Sequence, residues 1–146
     1  MTNITFAKLK KQRHNGYVDN MNNVKKIILS ASGVTVGEMN VVAIDLETNA
    51  LYYNVSVYAM GVEEPQKVIS DSEKGMLLEL LSQYNVTGWD LFYKDTEDID
   101  DGYGWMFAME GEGGVIEKHR GCGRSKKLVT PAGFEEIEKY IMNLVK

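Results

Sequence analysis

Apolar and polar residues alternate along several stretches of the chain and recur at helical spacing along two others. The first alternating stretch is Val24–Ser32, where Ile27, Leu29 and Ala31 interleave with Lys26, Ile28 and Ser30. A β-branched-rich run bounded by Asn and Gly reads as a strand. Val41–Leu46 and Leu51–Tyr58 flank Glu47-Thr48-Asn49-Ala50 and read as a hairpin. A two-residue turn at Thr48-Asn49 would pair Leu46 with Leu51, Ile44 with Tyr53 and Val42 with Val55. Val42, Ile44, Leu46, Leu51 and Tyr53 then share one face, with Asp45, Tyr52, Asn54 and Tyr58 on the other.

A short run at Lys67–Ile69 leads to a helix. Ser70 followed three residues later by Glu73 is a capping-box signature. Met76, Leu77, Leu80, Leu81 and Tyr84 then form a stripe wide enough to lie on a sheet. Trp89–Lys94 alternates again, with Trp89, Leu91 and Tyr93 opposite Asp90, Phe92 and Lys94.

The last third repeats the order. Tyr103–Glu110 places Tyr103, Trp105, Phe107 and Met109 on one face, and a Gly-rich turn leads to Val115–Arg120. A three-residue loop would put Glu117 and His119 on the Trp105 face, and a four-residue loop would reverse this. Thr130 and Pro131 suit the N-cap and first position of a final helix. Phe134, Ile137, Ile141, Leu144 and Val145 supply its apolar stripe. Together these elements predict an α+β, two-layer domain: a mainly antiparallel sheet of five or six strands with two helices on one face. The two strand–strand–helix runs suggest an internal ββα repeat.

Composition narrows the setting. At 146 residues the chain fits one domain, read here as a polar N-terminal arm (1–23) and a folded body (24–146). Residues 1–26 hold six basic side chains against Asp19, whereas the remainder holds ten basic and twenty acidic, so the net charge is −5. An acidic body argues against nucleic acid as a partner, since phosphate neutralisation needs a basic surface. One cysteine excludes an intramolecular disulfide and favours a reducing compartment. With no apolar run of signal-peptide or membrane-span length, the expected location is cytoplasmic, without a membrane association.

Candidate chemistry is sparse. The acidic link 95–102 fails as a calcium loop: with Gly102 at position 6, Ile99 falls where a ligand is needed and Ala108 where Glu is needed. His119-Arg-Gly-Cys122-Gly-Arg124 brings a nucleophile and a base close in sequence, making Cys122 and His119 the candidates for catalysis. No oxyanion site accompanies them, and with one nearby carboxylate, Glu117, they are too few and too loosely spaced for a zinc site. No metal and no cofactor is therefore expected, and enzymatic activity is the weaker reading. Arg120, Arg124, Lys126 and Lys127 precede the last helix and are candidates for holding an anion. Tyr52, Asn54, Tyr58, Phe92 and Lys94 would project from the sheet face away from the helices, a composition suited to a protein interface.

The pattern Trp105…Gly113…Gly121…Pro131…Phe134 resembles a small uncharacterised bacterial α+β domain with a Trp-bearing strand, a Gly turn and a Pro-led C-terminal helix. That resemblance spans about a quarter of the chain. It implies the architecture and carries no function across. The preferred expectation is a non-catalytic binding module with a protein partner. A small-molecule ligand and a homodimer through the open sheet face are further options. The alternatives are a small enzyme using Cys122 and His119, or an anion or nucleic-acid binder using the basic arm and the 120–127 loop.

Overall fold

The computed structural model describes residues 21–32, 39–54, 64–95 and 102–146. The basic arm up to residue 20, Tyr58 and the acidic residues 96–101 lie outside them. The described strands are β1 (Lys26–Ser32), β2 (Met39–Asp45), β3 (Ala50–Tyr53), β4 (Lys67–Val68), β5 (Phe92–Lys94), β6 (Tyr103–Glu110) and β7 (Ile116–Gly123). The helices are α1 (Asp71–Gln83), the single turn α2 (Lys126–Val129) and α3 (Phe134–Val145). The fold is α+β, but it has seven strands and three helices among the described residues, more of each than the pattern predicts.

The sheet runs β4-β3-β2-β1-β6-β7-β5. β1 is central and antiparallel to both β2 and β6, so the hairpins β2–β3 and β6–β7 flank it on either side. β5 pairs with β7 in parallel, which makes the sheet mixed. The reason is topological: β7 lies between β5 and β6 and runs antiparallel to β6. The parallel arrangement brings the ends of β5 and β7 together, where Asp95 and Arg124 clamp them. Arg124 Nε and Nη2 donate to the Asp95 carboxylate at 2.7 and 3.1 Å, and the Arg124 amide donates to it at 3.0 Å. A bidentate guanidinium–carboxylate pair fixes geometry as well as charge.

One layer of core lies between the sheet and the helices. Ile27 and Leu29 of β1, Val42 and Ile44 of β2, and Trp105, Phe107 and Met109 of β6 face Leu77 and Leu81 of α1 and Phe134, Ile137 and Ile141 of α3. Met76, expected in the α1 stripe, points outward at 56% exposure. Trp89 is the aromatic hub, within 6.4 Å centroid distance of Trp105, Phe107, His119 and Phe134. That placement explains why the strand predicted from Trp89 begins only at Phe92. Val86–Gly88 forms a 3-10 turn, and the Trp89 indole turns inward to donate to Tyr84 O at 3.2 Å.

The first hairpin differs from its expected register by two residues. Asp45 pairs with Ala50 and Ile44 with Leu51, leaving a four-residue loop, Leu46–Asn49. Asp45 Oδ1 accepts from the amides of Glu47 and Thr48 at 2.9 and 3.3 Å, and Asn49 takes a φ of 62°. The Asp45 side chain thus organises a wider turn than Thr48-Asn49 alone would make. A shift of two preserves side-chain parity, so the core face is the predicted one.

The last helix starts later than Thr130–Pro131 suggests. Lys126–Val129 forms its own helical turn, and the Thr130 hydroxyl donates back to Lys126 O at 2.8 Å. α3 then begins after Gly133, whose φ is 92° and against which the Tyr84 ring packs so closely that a Cβ would collide with it. The capping box of α1 is present: Ser70 Oγ accepts from the Glu73 amide, and the Glu73 carboxylate accepts from the Ser70 amide.

Candidate functional site

β7 is the strand on which the candidate residues can be sorted. Its burial alternates without a break: Glu117, His119, Gly121 and Gly123 face the helices, whereas Ile116, Lys118, Arg120 and Cys122 are exposed on the opposite face. The ladder with β6 pairs Phe107 with His119 and Met109 with Glu117. This register places Glu117 and His119 on the Trp105 face.

His119 and Cys122 are therefore not brought together. They stand three positions apart on an extended strand and point to opposite sides of the sheet. His119 is fully buried, with Nδ1 2.9 Å from Asp90 O and Nε2 2.7 Å from Glu117 Oε2. A carbonyl only accepts, so Nδ1 carries a hydrogen. The Nε2–Oε2 contact holds one further proton, and the pair is neutral overall whichever partner carries it. Both ring nitrogens are engaged within the core, and neither reaches the thiol. Among the described residues no group of three or more His, Cys, Asp or Glu side chains is gathered to hold a metal.

The four basic candidates also separate. Arg124 is clamped to Asp95, and Lys126 is ion-paired with Glu138 while its ammonium lies 5.9 Å from the Tyr103 ring. Burial first, then Glu138 and Glu135, pushes the Tyr103 phenol well above its ordinary range. Lys127 is exposed beyond the sheet end. Arg120 alone of the four stands on the open face.

The expected patch on that face divides in two. Tyr52 lies on the predicted side but is only 4% exposed, beside Ala43 and Ala50. Asn54 closes the end of β3, its Oδ1 accepting from Val41 N at 3.1 Å. Phe92 and Lys94 sit on β5, at the other end of the strand order. Four strands intervene between β3 and β5, so the two groups are roughly 20 Å or more apart at ~4.8 Å per strand.

What the open face does assemble is a cavity of about 380 Å³ at the β5 end of the sheet. Its geometry follows from two cross-strand rows. One runs Ser32, Gly104, Cys122, Lys94, and the next runs Ser30, Met106, Arg120, Phe92. Gly104 has no side chain, so the floor dips between Ser32 and Cys122. A Cβ there would come no nearer than 3.6 Å to Ser32 Oγ, which leaves the depression open. The Arg120 guanidinium lies over the Phe92 ring at 4.7 Å and forms one wall. Lys118 adds a second cation, and none of the described lining residues is acidic. Phe92 is 42% exposed despite its size.

Of the residues on or beside this cavity, the pattern singles out Phe92 and Lys94 for an interface, Arg120 for an anion and Cys122 for catalysis, without grouping them. It does not single out Ser30, Ser32, Gly104, Met106 or Lys118. Gly104 carried the one available signal, since a glycine inside a strand often marks a close approach or a missing wall. The fold and this surface define a two-layer α+β domain with one sheet face open at its β5 end. No family model, curated protein or solved structure matches the chain. Among the described residues no helix is long and apolar enough to cross a membrane.

Proposed function

We propose that the chain is a non-catalytic binding module that engages a protein partner through the sheet face opposite the described helices, at its β5 end. The carrying observation is the cavity floored by Gly104 and walled by the Phe92–Arg120 stack. A large aromatic and an arginine held together on an exposed surface are the residue types that dominate binding energy at protein interfaces. The separation of His119 from Cys122 weighs against the enzymatic alternative. The engagement of Arg124 and Lys126 with Asp95 and Glu138 weighs against an anion site in the 120–127 loop. The single cysteine favours a reducing compartment, the cytoplasm.

The test is site-directed photo-crosslinking in cells. Benzoylphenylalanine in place of Ile116, exposed on the same face of β7 two positions from Lys118, should give a discrete adduct, and the same group in place of Glu136, on the outer side of α3, should not. Equal labelling from both positions, or none from Ile116, overturns the reading. An adduct of twice the chain mass would identify the partner as a second copy.

A further inference from the structure

We infer that the cavity takes an acidic peptide segment, with a carboxylate held by Lys118 and Arg120 and an apolar side chain seated over Gly104. This rests on the proposed binding role of the open face and names the chemistry of its partner.

Charge complementarity carries the argument. The body of the chain is acidic, yet the described residues that line this cavity include two cations and no carboxylate. Lys94 stands in the adjoining row, next to Cys122. The nearest carboxylate along β6 is Glu110, already 3.7 Å from Lys26. Among the described residues of the lining the cations therefore have no acidic counterpart. The Arg120 guanidinium lies over the Phe92 ring, 4.7 Å from its centroid. A guanidinium restrained by such a contact can present its N–H groups to a carboxylate with less further ordering. Ser30 and Ser32 supply hydroxyls along the opposite side, able to donate or accept.

The remaining lining is apolar. Met106 and the Phe92 ring flank the Gly104 depression, and methionine adapts its shape to what it contacts. An acidic residue beside a Leu-sized side chain matches both parts of the surface. A nucleic-acid strand matches less well. It needs a continuous basic track, and Arg124 and Lys126 at the strand end are turned into internal ion pairs. A free phosphate would use the cations but leave the apolar floor uncovered.

Fluorescence polarisation of the full chain with a labelled peptide of alternating Glu and Leu tests the inference. Three comparisons accompany it: the Lys–Leu counterpart, labelled oligo-dT, and competition by inorganic phosphate. The Glu–Leu peptide should bind, weaken with salt, and exceed the Lys–Leu peptide by about tenfold or more. Lys118→Ala and Arg120→Ala should each weaken it by roughly three- to tenfold. Gly104→Val should weaken it similarly by filling the floor; Gly104→Ala serves if the Val variant melts early. Equal binding of the Lys–Leu peptide, preference for oligo-dT, displacement by millimolar phosphate, or indifference to Arg120→Ala overturns the inference. If no peptide binds while the Ile116 crosslink persists, the ligand class fails and the open-face reading stands. Loss of both removes both.

Discussion

The indole N–H of Trp105 donates to Val129 O at 2.7 Å, and the two groups meet directly above Gly121. This bond ties β6 to α2 through the position where β7 has no side chain. A Cβ at Gly121 would collide with both the indole nitrogen and the carbonyl. Trp105→Phe leaves the buried carbonyl unpaired and should destabilise the fold by about 1–3 kcal/mol. Gly121→Ala should cost about 2 kcal/mol or more, because it forces the two groups apart while adding volume to a packed site. Urea unfolding followed by far-ultraviolet circular dichroism checks both. A silent Gly121→Ala would mean that the close approach is not real.

The Glu117–His119 pair should respond to how it is broken. Glu117→Ala abandons a ring nitrogen in the core and should cost about 3 kcal/mol or more. Glu117→Gln keeps a donor facing Nε2 and should stay within about 1.5 kcal/mol of the native chain. The two denaturation midpoints, measured at neutral pH, give the comparison. Equal losses would show that proton sharing across this contact is immaterial.

Tyr103 makes alkaline pH informative. Its hydroxyl is buried without a hydrogen-bond partner among the described residues, and burial with Glu138 and Glu135 nearby raises its ionisation above the ordinary range. Below the unfolded value of roughly 10 the phenol is neutral in both states. Above it, the unfolded chain ionises and the folded one does not, so stability falls as pH rises. Tyr103→Phe should lessen that fall and should be close to neutral at pH 7, since no partner is lost. Tyr93 and Tyr140, also raised by burial, keep the slope from vanishing. Melting temperatures between pH 8 and 11 would follow it.

At the start of α1, Ser70→Ala removes one half of the capping box and should cost about 1 kcal/mol. Hydrogen bonds from Ser70 also hold the Glu73 carboxyl below its usual range. A carboxyl depressed on folding stabilises the fold above its unfolded value and loses that contribution as pH falls through its folded one. Glu73→Gln, which removes the titrating carboxyl, should therefore lose less on acidification than the native chain, as paired melts at pH 7 and pH 3 would reveal.

Much of the architecture was legible because parity is robust. The hairpin β2–β3 kept its core face although its register moved by two, and the stripe from Phe134 to Leu144 fell as periodicity requires. What stayed hidden depended on distant contacts. Gly133 delays α3 because Tyr84 packs on it, and β5 is parallel because β7 lies between it and β6. Three alternating residues carry no sign of strand direction. At the site, the parity that sorted the core could also have separated His119 from Cys122. Tyr52 was placed on its proper face, but its burial follows from packing that period two does not report. Lys118, Met106 and the two serines converge only once β1, β6 and β7 are laid side by side.

The unbroken alternation along β7 divides the strand into two sets of positions with different obligations. Glu117, His119, Gly121 and Gly123 answer to the core, and each is constrained by a proton, a ring or a close backbone approach. Lys118, Arg120 and Cys122 answer only to what lies outside. The exposed surface can therefore be rewritten at every second residue of one strand without disturbing the layer beneath.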